Sequence, residues 1–273
     1  MNSGSMRALI LSDIHANLEA LVAVLAAAEG QWDEVWNLGD LVGYGASPNQ
    51  VIDLIRPLES VVLRGNHDRV CCGITSPNAF NPTARTAANW TRTQLGAENL
   101  EWLRELPQGP VHPAFTGVNC VHGSPLDEDT YILTMRDAWA PLQQMSEPIT
   151  FFGHTHIQGG FSQRDHDWNE LRPNQHPANK PEANPHSFGP NAGISYTIHL
   201  LPGMRHLLNP GSVGQPRDRD WRACFAIFDS EPEGVAGQTI TFHRVPYDIV
   251  LTQSRILAAG LPDRLASRLR EGR

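Results

Sequence analysis

Polar and ionisable side chains follow several short apolar runs of this chain, at the point where each run ends. The run at residues 61–63 leads into Gly65-Asn66-His67-Asp68, and the run at residues 8–12 leads into Asp13 and His15. The complete set of such positions is Asp13, His15, Asp40, Asn66, His67, His122, His154 and His156. Carboxylate, imidazole and amide groups bind divalent transition metals, and the ionisable ones also transfer protons.

The first apolar runs alternate with helical patterns. Strands are predicted at residues 8–12, 34–38 and 60–63, with helices at 18–29 and 49–55 between them. This alternation predicts a parallel βαβαβ unit with right-handed crossovers. The carboxyl ends of parallel strands meet at one edge of a sheet, so we expect the polar residues there to lie close together.

The second half of the chain is richer in strands. Residues 118–121 and 149–152 are predicted strands that each end in histidine, at His122 and at His154 and His156. Further strands are expected at residues 159–162, 195–201, 205–208, 223–229 and 239–245, with hairpin spacing. Further helices are expected at residues 99–106, 135–145, 247–259 and 265–270. The fold class predicted is α+β, with an α/β-like first half.

Residues 162–193 differ in composition from the rest, with five Pro, five Asn and three His. The segment is too polar to bury and too long for an ordinary loop. We predict an insertion that interrupts a hairpin between residues 159–162 and 195–201. A surface lid is favoured over a third metal site at His166, His176 and His186, whose spacing matches no ligand motif.

Composition limits the class of protein. The 273 residues are 40% hydrophobic, enough for one large domain or two small ones. A net charge of −8 is unlike the basic footprint of a nucleic-acid-binding protein. No apolar run reaches the roughly 18 residues that span a bilayer, so no membrane association is expected. With no visible linker, a single domain is predicted over residues 6–273.

Cysteine usage and the N-terminus indicate the compartment. The four cysteines form no CxxC pair, which favours reduced thiols and a cytoplasmic location. The first five residues have no apolar core, so no signal peptide is expected, and Met6 is interpreted as the natural start.

The number of strand-end ligands exceeds what one tetrahedral metal site uses. Two metals about 3.5–4 Å apart, sharing a bridging carboxylate, would use them all. Counting two divalent ions, Asp13, Asp40 and a bridging hydroxide leaves a net charge of about +1. That charge would attract a phosphate substrate despite the acidic surface.

Taken together, these blocks resemble the calcineurin-like metallophosphoesterase superfamily. The matching blocks are Asp13-x-His15, Gly39-Asp40-x-x-Gly43, Gly65-Asn66-His67-Asp68, His122-Gly123 and Gly153-His154-Thr155-His156. The later run from Asn209 to Asp218 resembles the small bacterial and archaeal phosphodiesterase branch. The resemblance covers roughly residues 7–230, apart from the Pro/Asn-rich segment.

The resemblance implies a fold of two packed mixed β-sheets flanked by helices, and a dinuclear site. The implied first-metal ligands are Asp13, His15 and His156, the second-metal ligands are Asn66, His122 and His154, and the bridging ligand is Asp40. His67 would protonate the leaving oxygen or stabilise the transition state. A metal-bridging hydroxide would attack phosphorus in line. Mn, Fe, Co, Ni or Zn suits these ligands, with Mn favoured.

One block departs from the pattern of the superfamily's protein phosphatases, which carry an Asp-Arg pair where this chain has Gly43 and Tyr44. This difference favours a phosphodiesterase of small or nucleotide-type substrates over a phosphoserine/threonine phosphatase. Asp68 either replaces the missing acid or is only a turn residue. Arg64 and Arg217 are either phosphate contacts or solvated arginines.

Two alternatives to a phosphodiesterase are a protein phosphatase and a non-catalytic binding module. A protein phosphatase is disfavoured by the second block. A non-catalytic binding module on the same fold would be expected to lose metal ligands or His67, and this chain has them all. The residues leave open the physiological substrate, the identity of the metals and the oligomeric state.

Overall fold

Helices and strands alternate in the first half of the molecule, and strands dominate the second half. The structure is a computed structural model that describes residues 6–172, 193–230 and 237–273. The strands are β1 (Met6–Leu11), β2 (Glu34–Asn37), β3 (Glu59–Val62), β4 (Val118–Cys120), β5 (Ile149–Phe151), β6 (Gly159–Arg164), β7 (Asp167–Leu171), β8 (Ile194–His199), β9 (Arg205–Asn209), β10 (Ala223–Ser230) and β11 (Thr239–Val245). The helices are α1 (Leu18–Ala27), α2 (Pro48–Ile55), α3 (Asn66–Cys71), α4 (Pro82–Gln94), α5 (Ala97–Glu105), α6 (Met135–Gln144), α7 (Ile249–Ala258) and α8 (Asp263–Ser267).

One mixed sheet has the strand order β3-β2-β1-β10-β11-β8. Strands β1, β2 and β3 are parallel, as predicted from the alternating pattern. Helix α1 begins after the loop that follows β1. The side chain of Asn17 caps the N-terminus of this helix by accepting a hydrogen bond from the backbone N–H of Ala20 at 3.2 Å. The carboxyl ends of the three parallel strands therefore lie along one edge.

The other mixed sheet has the order β4-β5-β9-β6-β7. Strands β4, β5 and β9 are parallel, whereas β6 and β7 run antiparallel to their neighbours. The fold class expected from the resemblance, two mixed sheets flanked by helices, is confirmed.

Side-chain alternation along β1 sorts residues into two hydrophobic layers. Ala8 and Ile10 face a core between the sheets, where the ring of Trp36 lies 6.0 Å from that of Phe151. Leu9 and the rest of the opposite face pack against the helices. Successive side chains of a strand point to opposite faces, and both faces of these buried strands are covered by apolar layers. Each buried strand therefore has a nearly continuous apolar sequence.

The expected hairpin between residues 159–162 and 195–201 is wrong. Strand β6 instead forms a hairpin with β7, and β8 pairs with β11 in the other sheet. Strand β7 lies at a sheet edge with mostly exposed side chains, so its composition resembles that of a loop. His176, His186 and most of the segment interpreted as a lid lie outside the described residues.

Strands from both ends of the chain share one sheet, because β1 pairs with β10. This pairing supports our proposal that residues 6–273 form a single domain. The thiols of Cys71, Cys72, Cys120 and Cys224 are free and buried. Within the described ranges, no helix combines the length and the apolar character needed to cross a membrane.

A buried ionic network ties the second half of the chain together. Arg244 on β11, whose side chain is 2% exposed, donates from Nη1 to the Asp218 carboxylate at 3.0 Å and lies 3.6 Å from Asp220. Its Nε donates to Gln158 at 3.1 Å. A charge this enclosed is tolerated because carboxylates and an amide oxygen face it.

We expect Arg244→Met to lower the free energy of unfolding by about 3–5 kcal/mol, because it removes a buried guanidinium that binds the Asp218 carboxylate and the side chain of Gln158. Urea denaturation measures this change. In the matched control Arg56→Met, which removes an exposed ion pair with Glu98, the loss should be about 0–1 kcal/mol. Equal small losses in the two variants would contradict a structural role for the network.

Candidate metal centre

The site residues lie on loops with a strained backbone at the carboxyl ends of the strands. Five of them have left-handed φ angles: Asp13 at 53°, His15 at 49°, Asp40 at 56°, His154 at 65° and His156 at 61°. A left-handed conformation costs a residue with a side chain roughly 1–2 kcal/mol. The surrounding contacts must therefore hold these loops in place, and such strain is typical of functional sites.

Backbone hydrogen bonds join the loops after β1 and β2. The N–H of Asp13 donates to Gly39 at 3.0 Å, and the N–H of His15 donates to Asp40 at 2.9 Å. The turn after β3 also approaches closely, since a Cβ on Gly65 would lie 2.1 Å from the Asp40 carboxylate. Only glycine allows this approach, which positions the Asp40 side chain.

Asp68 also fixes the loop that carries Asp40. Its carboxylate accepts hydrogen bonds from the backbone of Asp40 at 2.7 Å, Gly65 at 2.9 Å and Val42 at 3.1 Å. Among the described contacts, it makes no hydrogen bond to the ring of His67. Asp68 therefore acts as a turn residue through its hydrogen bond to Gly65, and it also positions the Asp40 loop, which the sequence did not predict.

The first cluster of potential metal ligands is Asp13, His15, Asp40 and His156, whose ligand atoms all lie within 4.8 Å of one another. Nε2 of His156 lies 3.1 Å from Nε2 of His15 and 3.3 Å from an Asp13 oxygen. All four side chains are buried.

The second cluster is Asp40, His122 and His154. Nε2 of His122 lies 3.2 Å from Nδ1 of His154 and 3.2 Å from the amide oxygen of Asn66, which joins the group. Oδ2 of Asp40 lies 3.5 Å from His122 and 3.6 Å from His15 in the first cluster. One carboxylate oxygen therefore faces both clusters.

Hydrogen bonds to backbone carbonyls orient three of the histidines. The Nδ1 acceptors are Val42 for His15 at 3.1 Å, Leu38 for His122 at 2.8 Å and Gln215 for His156 at 2.7 Å. A carbonyl only accepts, so Nδ1 carries hydrogen in each ring and Nε2 faces the cluster. This arrangement is typical of metal-binding histidines.

His154 has the opposite orientation. Its Nε2 donates to the carbonyl of Asp129 at 3.1 Å, which leaves Nδ1 facing the cluster. Tyr131 stacks on the ring with centroids 3.9 Å apart. Arg69 holds this loop by binding the carboxylates of Glu128 and Asp129. The loop before α6 therefore supports the second cluster.

The buried histidines have strongly shifted pKa values. Burial lowers the pKa of His154 to about 3 and holds that of His15 and His156 well below the ordinary value. These rings are neutral at pH 7, the form that binds metal. His122 is the exception: burial opposes its protonation, but the Asp40 carboxylate outweighs this effect and raises its pKa to about 10.

Asp40 stays ionised although it is buried. Burial disfavours its charge, but His122, His67 and His15 hold the pKa of its carboxyl well below the usual range. A buried negative charge that holds a proton on His122 also favours a bound cation, which would take over the role of that proton. The carboxylate, imidazole and amide donors fit divalent transition-metal ions.

His67 lies beside the clusters without entering either. Its backbone N–H donates to Asp40 at 2.8 Å, and its ring lies between those of Tyr44, at 4.4 Å, and Phe80, at 4.5 Å. Gly43 closes a further side, because a Cβ there would lie 2.6 Å from His67 Nδ1. That nitrogen is buried and has no hydrogen-bond partner among the described residues. Aromatic packing, rather than a carboxylate, positions this ring.

The two arginines singled out in the sequence lie in different places. Arg217 lies at the site, with its guanidinium carbon 6.0 Å from the centroid of the Tyr44 ring and its Nη2 donating to Gln215 at 3.2 Å. Arg64 donates to Gln108 at 3.1 Å, and none of the described contacts joins it to the clusters.

Sequence reasoning missed the residues that support the site. At Tyr44 the sequence indicated only that the arginine of the protein phosphatases is absent. Phe80 and Tyr131 come from segments without a motif. Gln215 belongs to the recognised run from Asn209 to Asp218, but its backbone carbonyl, rather than its side chain, binds His156. Every residue has a backbone carbonyl, so a hydrogen bond to one cannot be predicted from the residue type.

Fold and site together define a metal-dependent phosphoester hydrolase. The chain belongs to the calcineurin-like phosphoesterase family, whose model matches residues 6–192. Metal dependence is a property of this family, and the clustered Asp and His side chains fit it.

Three relatives resemble the chain to different extents. A metallophosphoesterase from Sphaerobacter thermophilus has a crystal structure with 38% sequence identity and a TM-score of 0.79, covering 99% of this chain and 100% of that one. An uncharacterized protein of Methanocaldococcus jannaschii is 33% identical over 97% of each chain. A symmetrical bis(5'-nucleosyl)-tetraphosphatase of Vibrio vulnificus is 32% identical over 114 residues, which are 39% of this chain and 41% of that protein.

We expect Asp40→Ala to lose metal from both clusters, because Oδ2 is the atom that they share. Elemental analysis of the purified protein, with circular dichroism to verify folding, measures the loss. Asp33→Ala removes an exposed carboxylate and should keep the wild-type metal content. Retention of two ions per chain in Asp40→Ala would show that Asp40 does not bridge.

Proposed function

We propose that this protein is a phosphodiesterase for small or nucleotide-type substrates that uses two divalent transition-metal ions, with Mn favoured. The first ion would be held by Asp13, His15 and His156, the second by Asn66, His122 and His154, and both by Asp40. The two clusters that share one carboxylate oxygen support this assignment. When bound, such ions supply positive charge to the phosphate oxygens and lower the pKa of water.

The packing around His67 is the observation that carries the preference for diesters. Gly43 has a φ of +87° and no room for a side chain, so an acid at this position would displace His67. Tyr44 fills the space beside His67 with a neutral ring where protein phosphatases carry an arginine. Immediately beside His67 the site therefore has an uncharged aromatic surface, which suits the second ester group of a diester better than the second negative charge of a monoester.

The arginine at the site gives the substrate one direct cationic contact. Nε of Arg217 is buried and has no hydrogen-bond partner in the described part of the chain. An anionic oxygen would satisfy this donor, and guanidinium groups bind phosphate well. We therefore propose Arg217 as a phosphate contact. Arg64 is a weaker candidate, because none of its described contacts joins it to the clusters.

His67 is suited to protonate the leaving oxygen. Burial lowers its pKa to about 4, so the ring is neutral at pH 7 before substrate binds, and it can give up a proton only after the negative charge of a bound phosphodiester has favoured the imidazolium. With Nδ1 enclosed against Gly43, Nε2 is the nitrogen that can reach a substrate. An alcohol leaving group needs this proton because its alkoxide is strongly basic.

The relative from Vibrio vulnificus is named for hydrolysis of bis(5'-nucleosyl) tetraphosphates, which supports a nucleotide-type substrate. The free thiols support a cytoplasmic location. The structure offers no observation that favours the protein-phosphatase alternative.

Hydrolysis of bis-p-nitrophenyl phosphate compared with p-nitrophenyl phosphate tests the proposed function. The protein should be stripped of metal and reloaded separately with Mn, Fe, Co, Ni or Zn, and metal content measured on the same samples. We expect turnover of the diester to exceed that of the monoester. No turnover of either compound with both sites filled would overturn the enzyme proposal, and turnover of the monoester alone would overturn the diesterase proposal.

We expect His67→Ala to reduce kcat by roughly 10²–10⁴-fold, the usual effect of losing a general acid, while metal content stays at the wild-type level. The loss should be larger for a diester with an alcohol leaving group than for bis-p-nitrophenyl phosphate, because p-nitrophenolate leaves without a proton.

The exposed His112 provides the control, and His112→Ala should retain wild-type kcat. Equal losses on both diesters in His67→Ala would indicate that His67 does not donate the proton.

A further inference from the structure

A second arginine approaches the site from the C-terminal end of the chain. Arg268 begins the short 3₁₀-helix Arg268–Glu271, and its guanidinium carbon lies 6.0 Å from the centroid of the Tyr44 ring. The guanidinium carbon of Arg217 lies at the same distance from that ring. The Tyr44 ring in turn lies 4.7 Å from the ring of His15, in the first cluster. Two cations therefore lie beside one aromatic ring next to the metal centre.

The C-terminal segment is fastened to the site rather than lying loosely on it. The N–H of Arg219, two residues after Arg217, donates to the carbonyl of Gly272 at 2.9 Å. Leu265 and Leu269 are buried and line a small void together with site residues. The position of Arg268 relative to Arg217 is therefore set by the packed structure.

No side-chain carboxylate in the described part of the chain forms an ion pair with either guanidinium. The nearby Glu271 instead lies 3.6 Å from Arg264 and 3.7 Å from Arg273. Nε of Arg268 donates to the backbone carbonyl of Arg273, which leaves its other N–H groups for a ligand. Burial, and next the charge of Arg217, lower the pKa of Arg268 to about 10, so its side chain remains positive at pH 7.

Bringing two like charges together beside a cationic metal site costs energy, and a bound anion removes that cost. An anion bound by Arg268 would lie beside the clusters rather than on them, because the described ring contact of Arg268 is with Tyr44, which belongs to neither cluster. A phosphate linked to the one being hydrolysed meets this requirement. Each inner phosphate of a polyphosphate chain is also bonded through two bridging oxygens, as the phosphorus of a diester is.

We propose that Arg268 and Arg217 form a second anion subsite that binds the phosphate next to the reacting one. The substrate class is then nucleotides with several linked phosphates, such as dinucleoside polyphosphates. This inference rests on the proposed phosphodiesterase function and extends it by assigning a role to the C-terminal segment. Guanidinium groups suit this task because they bind phosphate oxygens in a bidentate manner.

The test compares kcat/KM for diadenosine tetraphosphate with kcat/KM for bis-p-nitrophenyl phosphate, which has no second phosphate. In Arg268→Gln the ratio of the two should fall about tenfold or more, as expected for loss of a charged hydrogen-bond donor. Arg268→Met, which keeps an apolar stem beside Tyr44, should give the same result if Gln lowers the melting temperature. Arg264→Gln, on the same segment but exposed, should leave the ratio unchanged.

The outcomes separate this inference from the proposed function. An unchanged ratio in both Arg268 variants, or wild-type protein that cleaves the simple diester but not the tetraphosphate, would overturn the second subsite alone. Wild-type protein that cleaves neither compound with metals bound would overturn the phosphodiesterase proposal itself.

Discussion

The site depends on one buried carboxylate, that of Asp40. Its Oδ2 faces a histidine of each cluster, and its Oδ1 accepts the backbone N–H of His67. Asp68 in turn binds the backbone N–H of Asp40, which holds the residue at a left-handed φ of 56°. Because burial makes an uncompensated charge costly, this carboxylate requires cations nearby, and the surrounding loops are arranged to bring them there.

The chemistry of His67 follows from what packs around it. Tyr44 and Phe80 fix the ring by contact, and Gly43 leaves the space that the ring needs. A carboxylate partner would raise the basicity of the imidazole, whereas an apolar enclosure disfavours the imidazolium and makes it a stronger acid once it has formed. Arg217 and Arg268 lie beside the same Tyr44 ring, so one aromatic side chain connects His67, the first cluster of potential ligands and the C-terminal arginine.

Much of the fold was predictable because strand burial and helix caps leave local patterns. The parallel order of the first three strands and the cap at Asn17 were confirmed. Strand β7 was missed, since an edge strand with exposed side chains has no apolar pattern to detect. The partner of β8 was also wrong, because strand pairing is a long-range choice that local composition does not encode.

The sequence by itself determined the chemistry of the site. It has seven potential ligands and His67 at the ends of strands, and the βαβ pattern indicates that these strand ends meet at one edge. Each of these features is local, so it can be recognised along the chain. The tertiary structure decided how those groups are used. Backbone carbonyls set which nitrogen of each histidine faces the clusters, and Asp68 holds a loop instead of binding the ring of His67. Arg268, 224 positions after Tyr44 by residue number, reaches the site only through folding, because contacts between distant segments depend on packing rather than on local sequence.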